Sequence, residues 1–234
     1  MRTLIRTLAS VSLIALIFVT APVSAQEMAA EDVVSRSIAF HDPNGMWDTG
    51  SFRLNLVQTL PIMGTRTTDL VIDNGAGKFW MKMERFGRVT ETTVTGDECW
   101  TTFNGSTEFT EQEAERFQLS CERMLRWRDY YTYLYGLPMK LRDEGTIIDP
   151  EAVRTEFEGD DVWQVRVTYD PEVGTDTWYF YFDPNDYALV GYRFYHDESA
   201  NDGEYIILDR LEEGDMRLPK VRSWFRYNDD ELLG

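Results

Sequence analysis

The amino-acid sequence predicts a mainly β protein with helices, an α+β fold built on a curved antiparallel meander of about eleven strands. Three observations predict it. Period-two alternation recurs in short segments separated by turns rich in Gly, Asn and Asp. Helical spacing is confined to one stretch near the start and one in the middle. Several strands are apolar on both sides, as in Trp178-Tyr179-Phe180-Tyr181-Phe182, where a sheet with one solvated face would alternate with polar residues. Two apolar faces suit a sheet wrapped over helices, one face packing a core and the other lining a covered concavity. A two-layer sandwich satisfies the same pattern.

Residues 1–25 read as a signal peptide. Arg2 and Arg6 precede the uncharged run 8–19, and Val23-Ser24-Ala25 has the small-x-small form of a signal-peptidase site, so cleavage is expected after Ala25. The apolar run is shorter than the roughly 20 residues that span a bilayer. No Cys sits at the cleavage point to carry a lipid, so no stable membrane anchor is expected after cleavage. Residues 26–234 are expected to form a single domain, periplasmic or secreted.

In the mature chain, Val33, Val34 and Ile38 lie at helical spacing within 27–40, and His41-Asp42-Pro43-Asn44-Gly45 breaks that helix. Phe52, Leu54 and Leu56 then alternate with polar residues, and further strands are predicted over 67–72, 77–83, 88–95 and 99–103. Asp73-Asn74-Gly75-Ala76-Gly77 is a hairpin signal. Thr110 and Glu113 form a capping box for one long helix that carries Ala114, Phe117, Cys121, Met124, Leu125 and Arg128 and fades near Tyr135-Gly136-Leu137-Pro138. Strands resume over 153–157, 162–169, 177–182, 188–195, 205–209 and 221–227.

The chain carries 41 acidic against 23 basic residues, a net charge of −18, and the leader holds none of the acids. A polyanion cannot neutralise nucleic-acid phosphates, so nucleic acid is excluded as the expected partner. Aromatics at 14% exclude a disordered acidic tail. In an exported chain Cys99 and Cys121 are expected to form a structural disulfide, since they lack the C-x-x-C spacing of a redox pair.

Motifs for chemistry are sparse, and no cofactor is expected. Gly75-Ala76-Gly77-Lys78 lacks the length and the following Ser or Thr of a phosphate loop, and reads as a hairpin turn. The acidic run from Asp197 to Glu204 resembles a calcium loop by composition, but its Gly is one place late and Leu208 stands where the bidentate Glu belongs. A solvated turn is the better reading. His41 and His196 are each followed by Asp, yet Asp197 is badly placed to orient His196, because neighbours on a strand face opposite ways.

The densest feature is Arg126-Trp127-Arg128-Asp129-Tyr130-Tyr131-Thr132-Tyr133-Leu134-Tyr135-Gly136-Leu137-Pro138-Met139-Lys140. Aromatics at the end of a helix, with Met and Pro after them, fit a lid over an apolar pocket; the same rings could equally plug one end of a barrel. This segment, together with Thr177-Trp178-Tyr179-Phe180-Tyr181-Phe182-Asp183-Pro184 and Tyr192-Arg193-Phe194-Tyr195-His196-Asp197-Glu198, resembles a family of exported bacterial proteins of unknown function. That family is similar to the LolA/LolB lipoprotein-carrier superfamily. The resemblance implies a half-open antiparallel barrel with helices covering its concave side, around an apolar cavity.

On this basis the sequence is read as a non-catalytic binding or carrier protein for an apolar small molecule, lipid, acyl chain or lipoprotein. Trp127, Tyr131, Tyr135 and Met139 are the expected lid, and Trp178, Phe180, Tyr192 and Phe194 the expected wall. Arg193 is the candidate for an anionic headgroup, and His196 lies in the same segment. Two rivals follow. An interaction module for an envelope protein predicts a filled barrel and an exposed aromatic patch. An enzyme predicts His196 at a pocket mouth beside a carboxylate.

Overall fold

The structure is a computed structural model that describes residues 28–200, 202–212 and 214–234. The predicted signal peptide with its cleavage point, the start of the predicted first helix at 27, and Asn201 of the acidic turn lie outside the described residues. A two-residue strand β1 (Met28–Ala29) leads into α1 (Ala30–His41), and β2 (Ser51–Leu60), β3 (Gly64–Asp73), β4 (Lys78–Arg85), β5 (Arg88–Thr95) and β6 (Glu98–Phe103) follow. Helices α2 (Glu111–Phe117) and α3 (Cys121–Tyr135) and a 3-10 turn at Met139–Arg142 separate these from β7 (Thr146–Ile148), β8 (Glu151–Phe157), β9 (Asp160–Tyr169), β10 (Thr177–Phe182), β11 (Leu189–Tyr195), β12 (Glu204–Glu212) and β13 (Leu218–Arg226).

The expected single meander is two. Strands β2 to β6 form a five-stranded antiparallel sheet, and β1 with β7 to β13 an eight-stranded one. The helical insertion between β6 and β7 interrupts the ladder, and the two sheets curve as an open barrel with helices against their concave faces. The two strands beyond the expected eleven, β1 and β7, are two and three residues long, too short to show a period.

The expected long helix is also divided. The capping box forms as read, with the Glu113 amide donating to Thr110 Oγ1 at 3.2 Å and the Thr110 amide donating to Glu113 Oε2 at 2.9 Å. Gln118 then takes a left-handed conformation (φ 54°, ψ 50°) that stops α2, and the Ser120 hydroxyl caps α3 by accepting from the Arg123 amide. Helical spacing on both sides of this break concealed it in the sequence.

Each sheet has its own core. Ala30, Val33 and Val34 of α1 are fully buried against Trp163, Val165, Val167, Phe180 and Phe182 of the larger sheet. Met124 and Tyr131 of α3 are buried with Leu70, Ile72, Phe79, Met81 and Val94 of the smaller one. Side chains of this size are worth roughly 1.5–3 kcal/mol each when fully buried, so the helices are held by packing rather than by propensity.

The second aromatic face of the larger sheet does not line a cavity. On the convex side Phe157, Val162, Tyr181 and Tyr205 form a third cluster, with Phe157 stacked on Tyr181 at 4.1 Å. Gly191 makes this possible: a Cβ there would lie 2.3 Å from Phe157 Cε1 and 2.8 Å from the Ile206 carbonyl oxygen.

Candidate functional site

Strand register sets the concave wall. Trp178 pairs with Phe194, Phe194 with Glu204, Phe180 with Tyr192, Tyr192 with Ile206, and Ile206 with Trp224, so these side chains share one face of β10 to β13. Opposite them, Phe52, Leu54 and Leu56 alternate along the edge strand β2, and Tyr130, Tyr131, Leu134 and Tyr135 descend from α3. Together with their neighbours these groups line an open-mouthed cavity of about 1380 Å³. That exceeds the roughly 300–1,000 Å³ of ordinary small-molecule sites.

The rings fix one another. Trp178 stacks on Phe194 with centroids 4.7 Å apart and meets the edge of Tyr133 at 5.4 Å. Trp224 donates its indole N–H to Glu204 at 2.8 Å, which satisfies the indole at the wall. Burial raises the hydroxyl pKa of Tyr192, with Arg222 opposing that shift, so the phenol stays protonated.

The expected site residues divide into three groups. Tyr131, Tyr135, Trp178, Tyr192 and Phe194 line the cavity. Phe180 and Met139 lie behind it, buried in the two cores, and Trp127 lines a neighbouring pocket instead. Arg193 and His196 stand elsewhere. Arg193 sits between Tyr192 and Phe194 on β11, so the strand's period of two turns it to the convex face, where its guanidinium lies 3.9 Å from the Tyr227 ring centroid.

Four cationic residues line the cavity, Arg53, Arg66, Lys220 and Arg222, and of these Arg222, on β13 opposite Leu208, lies against its aromatic cover. Its guanidinium lies 4.3 Å from the Tyr135 ring centroid, and its Nε and Nη1 are buried without a hydrogen-bond partner among the described residues. The signal for it was present: Arg222 and Trp224 alternate in phase in a predicted strand. What was missing was which face of that strand turns inward.

His196 is exposed, 2.9 Å from Asp176 through Nδ1, and lines neither the cavity nor the neighbouring pocket. The hydrogen bond to Asp176 raises its pKa. Asp176 is twenty residues away in sequence, so no local motif announced the pair. In the acidic turn, Asp197 Oδ1 accepts from the Ser199 amide at 2.9 Å and from its hydroxyl at 2.6 Å, an Asx-type turn. Among the described residues no group of three or more His, Cys, Asp or Glu comes together to hold a metal.

Cys99 on β6 and Cys121 at the start of α3 are joined in a disulfide with Cα atoms 5.4 Å apart. Such a bond suggests an oxidising compartment. Among the described residues no helix is long and apolar enough to cross a membrane.

Fold and cavity together define an open antiparallel β-cup with an aromatic interior and a helical cover. The chain belongs to a family of unknown function (DUF6503), whose model matches residues 11–234. Among solved structures it is similar to the crystal structure of LolA superfamily protein NE2245 from Nitrosomonas europaea, at 11% sequence identity over 88% of this chain and 89% of that one, with a TM-score of 0.49. Comparison with curated protein sequences gives no match.

Proposed function

We propose that this protein is a non-catalytic periplasmic binding or carrier protein for an apolar ligand, a lipid, an acyl chain or the acylated end of a lipoprotein, exported with residues 1–25 removed. The observation that carries the reading is the cavity of about 1380 Å³, walled by Trp178, Tyr192, Phe194 and Trp224 and covered by Tyr131 and Tyr135. A volume of that size favours a carrier over an interaction module with a filled barrel. The enzyme reading is disfavoured because His196, though paired with Asp176, stands apart from the cavity. Arg222 takes the headgroup role at one wall: a guanidinium fixed against the Tyr135 ring matches the charge of a carboxylate or phosphate better than a neutral end.

Native mass spectrometry of protein purified from the periplasm without detergent, followed by solvent extraction, tests the reading. A lipid or lipopeptide released on denaturation is expected. Binding titrations with palmitate and its methyl ester then assign the wall. Trp178→Ala is expected to weaken both roughly tenfold, and Arg222→Met to weaken palmitate alone by roughly 10–100-fold. A protein that carries no lipid and binds neither compound would remove the carrier reading.

A further inference from the structure

Beside the large cavity, the end of the smaller sheet and helices α2 and α3 border a second, open pocket of about 400 Å³. Arg66, Arg85, Arg88, Arg116 and Arg123 line it, and among the described residues no Asp or Glu does. In a protein with a net charge of −18, five cations gathered without an anion run against the composition. None of the five makes an ion pair among the described residues, whereas Arg126, Arg128, Arg142, Arg154, Arg166 and Arg226 all do.

Their placement is costly as it stands. Arg66 lies directly across from Arg85, and Arg85 directly across from Arg88, so three like charges occupy neighbouring cross-strand positions. Nε of Arg66, Arg85 and Arg123 is buried with no hydrogen-bond partner among the described residues, although each is a strong donor. Aromatic rings hold the guanidiniums in position. Arg66 and Arg123 lie 5.2 and 4.7 Å from the Trp127 ring, and Arg88 and Arg116 lie 5.0 and 5.4 Å from Phe117. An anion received among these guanidiniums would relieve the repulsion.

We propose that this pocket is a second ligand site, adjoining the large cavity, that takes the phosphate group of an organic phosphate. The guanidinium-bearing residues reach the pocket from β3, β4, β5, α2 and α3, and charge supplied from several sides suits the several oxygens of a tetrahedral oxyanion better than the two of a carboxylate. The pocket falls in the size range of small-molecule sites, and Met81, Met83, Phe103 and Trp127 offer apolar surface to the carbon body beyond the phosphate. A soluble phosphomonoester and a lipid headgroup share this chemistry. Arg66 lines both the large cavity and this pocket, whereas Arg85 and Arg123 line this pocket and not the large cavity, so variants at those two separate the proposal from what fills the large cavity.

The test uses the full mature chain in two arms. Calorimetric titration and thermal unfolding with phenyl phosphate, against sodium chloride at matched ionic strength, cover the soluble source. Co-sedimentation with phosphatidylcholine vesicles, with and without phosphatidic acid, covers the headgroup. Saturable binding of phenyl phosphate, or of phosphatidic acid vesicles only, supports the site and identifies which source it takes. Arg85→Gln and Arg123→Gln are each expected to weaken that binding at least tenfold. Arg126→Gln, on the same helix but ion-paired with Glu122, is expected to leave it unchanged. A merely structural role predicts that Arg123→Gln lowers the Tm of the anion-free protein; relief of repulsion predicts an equal or higher Tm. Phosphate effects no larger than those of chloride in both arms, or undiminished binding by both pocket variants, would overturn the proposal.

Discussion

His41 shows how one side chain can be read for chemistry and used for architecture. It is fully buried at the end of α1, where Nε2 accepts the Leu189 amide at 2.8 Å and Nδ1 faces the Arg217 carbonyl at 2.5 Å. An accepting Nε2 requires the proton on Nδ1, so the ring is neutral and joins α1, β11 and the approach to β13. Burial lowers its pKa below 6.5, although the Arg217 carbonyl partly opposes this. The unfolded chain therefore binds a proton that the folded one resists. The ring's contribution is fully present above pH 6.5 and is lost as pH falls from there towards the lowered value. Urea midpoints at pH 7.5 and 5.5 are expected to fall more for the native protein than for His41→Asn. That variant should already be less stable at pH 7.5 by roughly 1–3 kcal/mol, because it strands the Leu189 amide. Equal pH slopes would show that His41 is not the group responsible.

At the scale of elements, α3 is the hinge of the design. Its buried side, Met124 and Tyr131, belongs to the smaller sheet's core, while Tyr133 and Leu134 pack against the core of the larger one. The helix thus bridges two sheets that share no ladder. The disulfide secures its first turn to β6 across a sequence separation of 22. On the chain-entropy account a loop of that length stabilises by roughly 3 kcal/mol. Cys99→Ala/Cys121→Ala is expected to lose about that much by urea unfolding, with faster amide exchange over 111–125. A loss below about 1 kcal/mol would mean that packing alone places the helix. The strands were legible because their period and turns are local. The break at Gln118 was not, since the residue that takes the left-handed conformation there is neither Gly nor Asn.

Across the whole molecule, charge and shape divide the work. A net charge of −18 makes the folded state repel itself, and the ion pairs observed are on the surface, where each is worth little. Raising sodium chloride from about 0.02 to 0.3 M shortens the screening length to well under 10 Å and is expected to raise the urea midpoint. A fall would show that attractive surface pairs outweigh the net repulsion. Five arginines that make no ion pair among the described residues gather instead around the pocket that adjoins the cavity. Composition gave no hint of that segregation.

The sequence by itself determined the strand pattern, the first helix, the capping box, the cysteine pair and the aromatic character of the interior, because each depends on local period or on residue type. Tertiary structure decided which aromatics line a cavity and which fill a core. Phe180 and Tyr192 are neighbours in register, yet Phe180 packs beneath α1 while Tyr192 also reaches the open space. It also decided that Arg222 rather than Arg193 meets the cavity, since alternation along a strand tells two faces apart without saying which is concave. The arginine pocket lay furthest from view in the sequence. Its five members come from β3, β4, β5, α2 and α3, and only sheet register and helix packing bring them around one pocket.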